Sequence, residues 1–108
     1  MKTNGTEIRV YIKEQCPYCQ RALQIIRLLL GDADLKVVNL QNDQQTRRQI
    51  AKATGHTTMP AIFIGETFIG GCSELEDAIF SGRVRSILLK QSLLEKVIDF
   101  IGRYLSRG

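Results

Sequence analysis

Apolar and polar residues alternate near the start of the chain and then recur with helical spacing. In EIRVYIK, residues 7–13, every second residue is aliphatic, which predicts a β-strand. The segment PYCQRALQIIRLLLG, residues 17–31, instead places its apolar positions on one helical face and ends at Gly31, a common helix stop. That predicted face comprises Ala22, Leu23, Ile26, Leu29 and Leu30.

Two further segments repeat this order of strand and helix. LKVVNL, residues 35–40, predicts a second strand because it is short and rich in β-branched residues. DQQTRRQIAKATG, residues 43–55, predicts a polar helix that turns Ile50 and Ala53 inward and ends at Gly55.

The next part of the chain predicts a hairpin followed by a helix. AIFIGETFIG, residues 61–70, contains two short strands joined by a Gly-Glu pair that suits a type II′ turn. CSELEDAIF, residues 72–80, predicts a helix whose Ser73 and Glu76 have capping-box spacing. The order β-α-β-α-β-β-α predicts an α/β domain with a parallel pair of strands and an antiparallel hairpin.

The end of the chain, residues 83–108, contains no proline and keeps a helical period. A seven-residue seam, polar only at Gln91, would allow this helix to dimerise the protein. A second set of apolar residues widens the stripe, as packing on its own domain requires, so we expect a monomer. The seam is Val84, Ile87, Leu94, Ile98, Ile101 and Leu105, and the second set is Leu88, Leu93, Val97, Phe100 and Tyr104.

Length and composition fit one ordinary globular domain. The chain has 108 residues, of which 44% are hydrophobic and 24% charged, and no apolar run approaches the length of a membrane span. The N-terminal residues do not resemble a signal peptide, so we expect a cytoplasmic protein that does not bind membranes.

The net charge of +4 is modest and spread along the chain, although basic residues concentrate after Gly82. Because aromatic residues are few and Trp is absent, a solvated basic helix face is favoured over a nucleic-acid interface. The basic residues concerned are Arg83, Arg85, Lys90, Lys96, Arg103 and Arg107.

Cys16 and Cys19 lie at the junction of the first predicted strand and helix. In a reducing compartment such a pair is more often catalytic or metal-binding than structural. A helix N-terminus favours a thiolate, and Pro17 suits the first helical position. Cys19 lies one turn further on and is more sheltered, so we expect Cys16 to attack and Cys19 to resolve the mixed disulfide. Lys13 and Arg21 flank the pair.

A zinc site is the alternative interpretation of the cysteine pair. Cys72 and His56 could complete a set of four ligands, but they are 16 residues apart, whereas structural zinc sites usually carry a second closely spaced pair. We therefore expect no metal and interpret His56 as a solvated loop residue.

Three motifs together resemble those of a dithiol glutaredoxin. They are CPYC after a strand, TTMP just before a strand, and GGCSEL at the start of a helix, in matching order and at matching intervals. The resemblance covers about residues 7–90. It implies a thioredoxin-like fold in a single domain, with a four-stranded mixed sheet flanked by helices. The resemblance does not cover residues 91–108, which we expect from their periodicity to form an additional C-terminal helix.

The resemblance also implies a glutathione groove beside Cys16. A cis peptide bond between Met59 and Pro60 would turn the Met59 backbone toward the cysteinyl part of glutathione. Thr58 would lie beside it, and Tyr18 would line the groove.

Charged and N-terminal helix groups would hold the two ends of glutathione. Lys13 and Arg47 match positions that hold the glycine carboxylate. GGCSEL matches the segment that receives the γ-glutamyl end, at a helix N-terminus. Its expected contacts are Gly71, Cys72, Ser73 and Glu74, where Cys72 is otherwise a small buried residue and Glu74 is a candidate partner for the ammonium group.

The implied function is a glutathione-dependent thiol–disulfide oxidoreductase. Its partners would be glutathione, as co-substrate, and disulfide-bonded or glutathionylated proteins. One alternative is a glutaredoxin-like redoxin reduced by thioredoxin reductase, which Lys13, Arg47 and GGCSEL argue against. Another is a binding module in which Cys16 and glutathione hold a [2Fe–2S] cluster, which Pro17 argues against.

Overall fold

Four strands and four helices make up residues 1–106, the part of the chain that the computed structural model describes. Arg107 and Gly108, the end of the predicted helical extension, lie outside the described residues. The elements are β1 (Glu7–Ile12), α1 (Pro17–Leu29), β2 (Asp34–Asn39), α2 (Gln44–Thr54), β3 (Ala61–Ile64), β4 (Thr67–Gly70), α3 (Cys72–Phe80) and α4 (Arg83–Ser106).

The strands form the four-stranded mixed sheet that was predicted, in the order β2-β1-β3-β4. β1 is parallel to β2, to which α1 connects it, and antiparallel to β3. β3 and β4 form the predicted hairpin, and Gly65 has the positive φ, 57°, that its turn requires. Because β1 lies between two neighbours, its C-terminal end is held firmly, and this is the end that leads to Cys16.

The main core lies between one face of the sheet and the helices α1, α3 and α4. The strands contribute Ile8, Val10, Ile62 and Ile64, all fully buried. A second, smaller cluster surrounds the cysteine pair and receives Ile50 from α2. Its buried members are Cys16, Cys19, Leu40, Ile50, Met59 and Ala61.

Two positions predicted to face inward are exposed. Leu29 is 41% exposed because α1 ends there, and the following Leu30 takes the buried position while its N–H bonds the Ile26 carbonyl. Ala53 is also exposed, since the inward face of α2 continues from Ile50 to Thr54, one turn later. The remaining predicted positions on these two helices are buried.

The predicted cap of α3 is wrong. The helix begins at Cys72, so its N-cap is Gly71 and Ser73 already lies in the first turn. The Glu74 carboxylate accepts a hydrogen bond from the Gly71 N–H at 3.3 Å, and the Ser73 hydroxyl donates to the same carboxylate at 2.6 Å. Glu74, rather than Glu76, therefore closes the start of this helix.

α4 packs on its own domain only at its beginning. Val84 and Leu88 are buried in the main core, whereas the apolar residues from Leu93 onward are at least 46% exposed. The expectation that the whole tail covers the domain is confirmed for the first turns and wrong for the rest. No helix within residues 1–106 is both long and apolar enough to cross a membrane.

Truncating Leu75 should test the main core. Its side chain is fully buried, so Leu75→Ala should lower the free energy of unfolding by about 2–5 kcal/mol in urea titrations followed by circular dichroism. Leu28→Ala is the matched control, because Leu28 is 81% exposed and its loss should change stability by no more than about 0.5 kcal/mol. Equal losses in both variants would contradict the described core.

Candidate active site

The Cys16 sulfur caps the N-terminus of α1. Cys16 has an extended backbone, and its Sγ accepts a hydrogen bond from the Cys19 N–H at 3.3 Å. Pro17 occupies the first helical position, where no N–H is needed. A sulfur thus takes the place that a Ser or Asp oxygen usually takes at a helix start, and an anion is favoured there.

Cys19 lies behind Cys16 and is screened from the solvent. It is 2% exposed and does not line the groove that Cys16 faces. Burial, followed by the hydrogen bond with Cys16, raises the pKa of the Cys19 thiol to about 11. The backbone and charge of Lys13 act in the opposite direction but are outweighed. Cys19 is therefore a neutral thiol at pH 7.

Cys16 faces a groove of about 540 Å³ that is bounded by the loop before β3 and the start of α3. Its lining includes every residue that the resemblance assigned to glutathione except Arg47. Those residues are Lys13, Tyr18, Thr58, Met59, Pro60, Gly71, Cys72, Ser73 and Glu74. Gln15 and Pro17, which were not predicted as site residues, also line it.

The predicted cis peptide bond between Met59 and Pro60 is present, next to the Cys16 sulfur. Cys16 Sγ lies 3.7 Å from the Met59 carbonyl oxygen, to which the thiol donates. Met59 is buried, while Thr58 beside it is exposed at the rim. The backbone of this loop therefore adjoins the sulfur that would react.

The start of α3 forms the opposite end of the groove. The first N–H groups of any helix have no partner within the helix, so Cys72 and Ser73 provide donors there. Glu74 lies over the same turn, and the Ser73 hydroxyl and the Gly71 N–H hold the pKa of its carboxyl below the usual value. This end of the groove combines a fixed carboxylate with helix N–H donors.

The two predicted carboxylate-binding cations lie in different places. Lys13 is exposed and lines the groove. Arg47 on α2 is half-buried, and its Nε donates to the Leu40 carbonyl at 3.0 Å. The structure thus brings Lys13, but not Arg47, into the wall of the groove.

His56 is not the solvated loop residue that was expected. It is half-buried in the groove, with Nε2 3.0 Å from the Pro60 carbonyl oxygen and its ring 5.4 Å from that of Phe68. The only feature of the sequence that could have predicted this place in the groove is the position of His56, four residues before the cis proline. Within residues 1–106, no three His, Cys, Asp or Glu side chains come together as a metal site.

Cys72 and Arg21 are linked through one carboxylate. The Cys72 thiol is buried and donates to Glu76 Oε1 at 3.6 Å, and Arg21 Nε pairs with the same oxygen at 2.8 Å. Burial, and then the charge of Glu76, raises the pKa of Cys72. Arg21, expected to flank the cysteine pair, instead pairs with α3.

Comparison with known proteins shows the family to which the chain belongs. The model of the family described as Glutaredoxin matches residues 8–69. The chain belongs to the glutaredoxin family. Human glutaredoxin-1 is 36% identical over 100 residues, which cover 87% of this chain and 92% of the human protein. The protein is accordingly a thiol–disulfide oxidoreductase.

Solved glutaredoxin structures share the fold. A buckwheat glutaredoxin–glutathione complex superposes with a TM-score of 0.70 at 26% identity, covering 82% of this chain and 81% of the other. A dithiolic glutaredoxin from Trypanosoma brucei brucei is 37% identical, with a TM-score of 0.65 and coverage of 80% and 90%. The thioredoxin-like fold is therefore that of glutaredoxins.

The raised pKa of Cys19 should appear in its alkylation by iodoacetamide. Cys16→Ser removes the contribution of the Cys16 thiol but retains the burial of Cys19, which is the largest cause of its raised pKa. In this variant the rate should therefore keep rising beyond pH 9, where an ordinary cysteine levels off. Peptide mass spectrometry would separate Cys19 from Cys72, and circular dichroism would verify folding at each pH. A plateau by about pH 9 would contradict the assignment, because limited access lowers the rate without moving the midpoint.

Proposed function

We propose that this glutaredoxin depends on glutathione and reduces protein–glutathione mixed disulfides and protein disulfides through Cys16 and Cys19. The observation that carries the proposal is the Cys16 sulfur, which caps α1 and faces one groove together with Met59 and the start of α3. Glutathione is a short peptide with a thiol and two carboxylates. A backbone edge, an anion site and a nucleophile along one groove suit such a ligand.

In the proposed reaction, the Cys16 thiolate attacks the glutathione sulfur of a mixed disulfide. A bond forms between Cys16 and glutathione, the bond to the substrate protein breaks, and that protein leaves as a thiol after taking up a proton. A second glutathione thiolate then attacks the glutathione held on Cys16. Glutathione disulfide leaves and Cys16 returns as a thiolate, which the helix N-terminus stabilises.

Protein disulfides would require Cys19. Cys16 first attacks one sulfur of the substrate, and Cys19 then attacks Cys16, so that the substrate leaves with two thiols and a Cys16–Cys19 disulfide forms. Two glutathione molecules reduce this disulfide and become glutathione disulfide. Because Cys19 must lose a proton that burial holds firmly, the route through glutathione alone is favoured for mixed disulfides.

The groove suggests how glutathione is held. Met59 would pair with the cysteinyl backbone, and the N–H groups of Cys72 and Ser73 would hold the γ-glutamyl carboxylate. The lowered pKa of Glu74 keeps its carboxylate ionised, as an ammonium partner requires. Gly71, Thr58, Pro60 and Tyr18 would complete the walls.

The glycine carboxylate of glutathione would lie toward Lys13. Lys13 lines the groove and is the cation proposed for this carboxylate, whereas Arg47 donates to the Leu40 carbonyl and lies outside the groove wall. A cation beside the carboxylate provides a charge-assisted contact that a neutral side chain lacks.

Removing the Lys13 charge should weaken the binding of glutathionylated substrates. Lys13→Gln should raise KM several-fold, about 0.5–1 kcal/mol, and leave kcat nearly unchanged, because an exposed ion pair contributes modestly to binding. Lys52→Gln is the matched control, since Lys52 is an exposed cation on α2 that does not line the groove. Equal effects of the two substitutions would speak against a contact at Lys13.

The division of roles can be measured with the β-hydroxyethyl disulfide assay, using glutathione, glutathione reductase and NADPH. Cys16→Ser should abolish turnover, because Cys19 does not line the groove, and the Cys72 thiol, which does, donates to Glu76 and has a raised pKa. Cys19→Ser should retain turnover of the mixed disulfide and lose reduction of protein disulfides. Loss of turnover in both variants would refute this division, and an inactive wild type would refute glutathione dependence.

The same reaction distinguishes the alternative functions. Replacing glutathione and its reductase by thioredoxin reductase should stop turnover; full activity with that donor would instead identify a redoxin reduced by thioredoxin reductase. Protein purified without oxygen in the presence of glutathione should be colourless, since a [2Fe–2S] module would show charge-transfer absorption.

A further inference from the structure

The second half of α4 leaves a broad apolar face in contact with water. Six side chains on this face are 46–73% exposed, and we call them the distal face: Leu94, Val97, Ile98, Ile101, Tyr104 and Leu105. α4 is one unbroken helix of 24 residues, and the long axis of the molecule, 52 Å against 31 and 20 Å, reflects its projection. Soluble monomers seldom expose a continuous apolar patch of this kind.

We propose that the distal face binds the distal face of a second copy of this chain, with the two helices antiparallel. From their exposed fractions, the distal face with Leu93 and Phe100 presents roughly 900 Å², about what one partner buries in a standard-size interface. The apolar area exposed on each chain is therefore of the size that a standard interface buries.

The antiparallel direction follows from what covers the first turns of α4. Val84, on the same seam as Ile98, is fully buried in the main core, as is its neighbour Leu88. In a parallel pair, the two domains would therefore occupy the same space between the helices. In an antiparallel pair, each domain lies beyond the C-terminal end of the other helix.

One antiparallel register pairs all four seam residues of the distal face with each other. If Leu94 packs on Leu105 of the partner subunit, Ile98 packs on Ile101 of the partner subunit, and the two-fold axis repeats both contacts. Four layers then contain only aliphatic side chains, as the core positions of a helix pair require. Val97 and Tyr104 flank these layers on one side and extend the contact.

The charges around the distal face favour a second copy over a lipid surface. Within residues 93–106, Glu95 and Asp99 balance Lys96 and Arg103, and Arg103 pairs with Asp99 at 3.1 Å. The excess basic residues of α4, which are Arg83, Arg85 and Lys90, precede this segment. Helices that bind membrane surfaces instead carry an excess of Lys and Arg on the polar face. A balanced polar face suits a helix that remains in water on that side and meets protein on the other.

Sedimentation equilibrium of the full chain tests the proposal. The wild type should be a dimer across the micromolar range, and Ile98→Asp should raise the dissociation constant by at least about tenfold, because each dimer would bury two unpaired carboxylates. Lys96→Asp is the matched control on the polar face and should leave the dimer intact. Disulfide-reductase turnover should be unchanged in both variants, since no α4 residue lines the Cys16 groove.

Other outcomes would overturn the proposal. A monomeric wild type would refute it. A dimer that persists in Ile98→Asp but dissociates in Phe80→Asp would also refute it, because this result would place the interface in the apolar groove between α1 and α3. Flotation of the wild type, but not of Ile98→Asp, with phosphatidylcholine–phosphatidylserine vesicles would instead assign the face to lipid. If Ile98→Asp fails to fold, Leu105→Asp in the last described turn replaces it.

Small-angle X-ray scattering tests the direction of the helices. An antiparallel pair separates the two domains along the helix axis, so the wild-type dimer should give a two-lobed distance distribution that Lys96→Asp preserves. A compact, single-lobed dimer would overturn the antiparallel arrangement.

Discussion

The hydrogen bond from the Cys19 N–H to the Cys16 sulfur is the interaction on which the site depends. Through this bond the reactive side chain of Cys16 caps α1. The turn from β1 into α1 therefore also positions the nucleophile. Because β1 is paired on both sides, the approach to this cap is rigid. The partial positive charge of the helix end then acts on the sulfur that faces the groove.

The small cluster around the cysteine pair explains why two thiols of one motif behave differently. Leu40, Ile50, Met59 and Ala61 pack in one cluster with both cysteines, but of the two cysteines only Cys16 lines the groove. Burial keeps the Cys19 proton in place, whereas Cys16 retains contact with the groove. The attacking thiol, Cys16, and the resolving thiol, Cys19, thus differ because one reaches the groove and the other is buried behind it.

Much of the fold could be predicted because it depends on local periodicity. The alternation in β1, the helical face of α1 and the hairpin turn at Gly65 each reflect neighbouring residues, and the structure agrees with them. Leu29 and Ser73 were misassigned because helix ends are set by which backbone groups find partners, and not by apolar spacing. Glu74 closes α3 from within its first turn, a contact that competes with the cap predicted from the sequence.

By itself, the sequence determined the cysteine pair, the motifs that place the chain among glutaredoxins, and the amphipathic character of α4. Only the tertiary structure decided that His56 bonds the Pro60 carbonyl, that Arg47 lies outside the groove, and that α4 leaves the domain after Leu88. The physical reason is the range of the interactions. Backbone preference and apolar spacing act over a few neighbouring residues, whereas a hydrogen-bond partner or the limit of a packed surface depends on segments far apart in the chain.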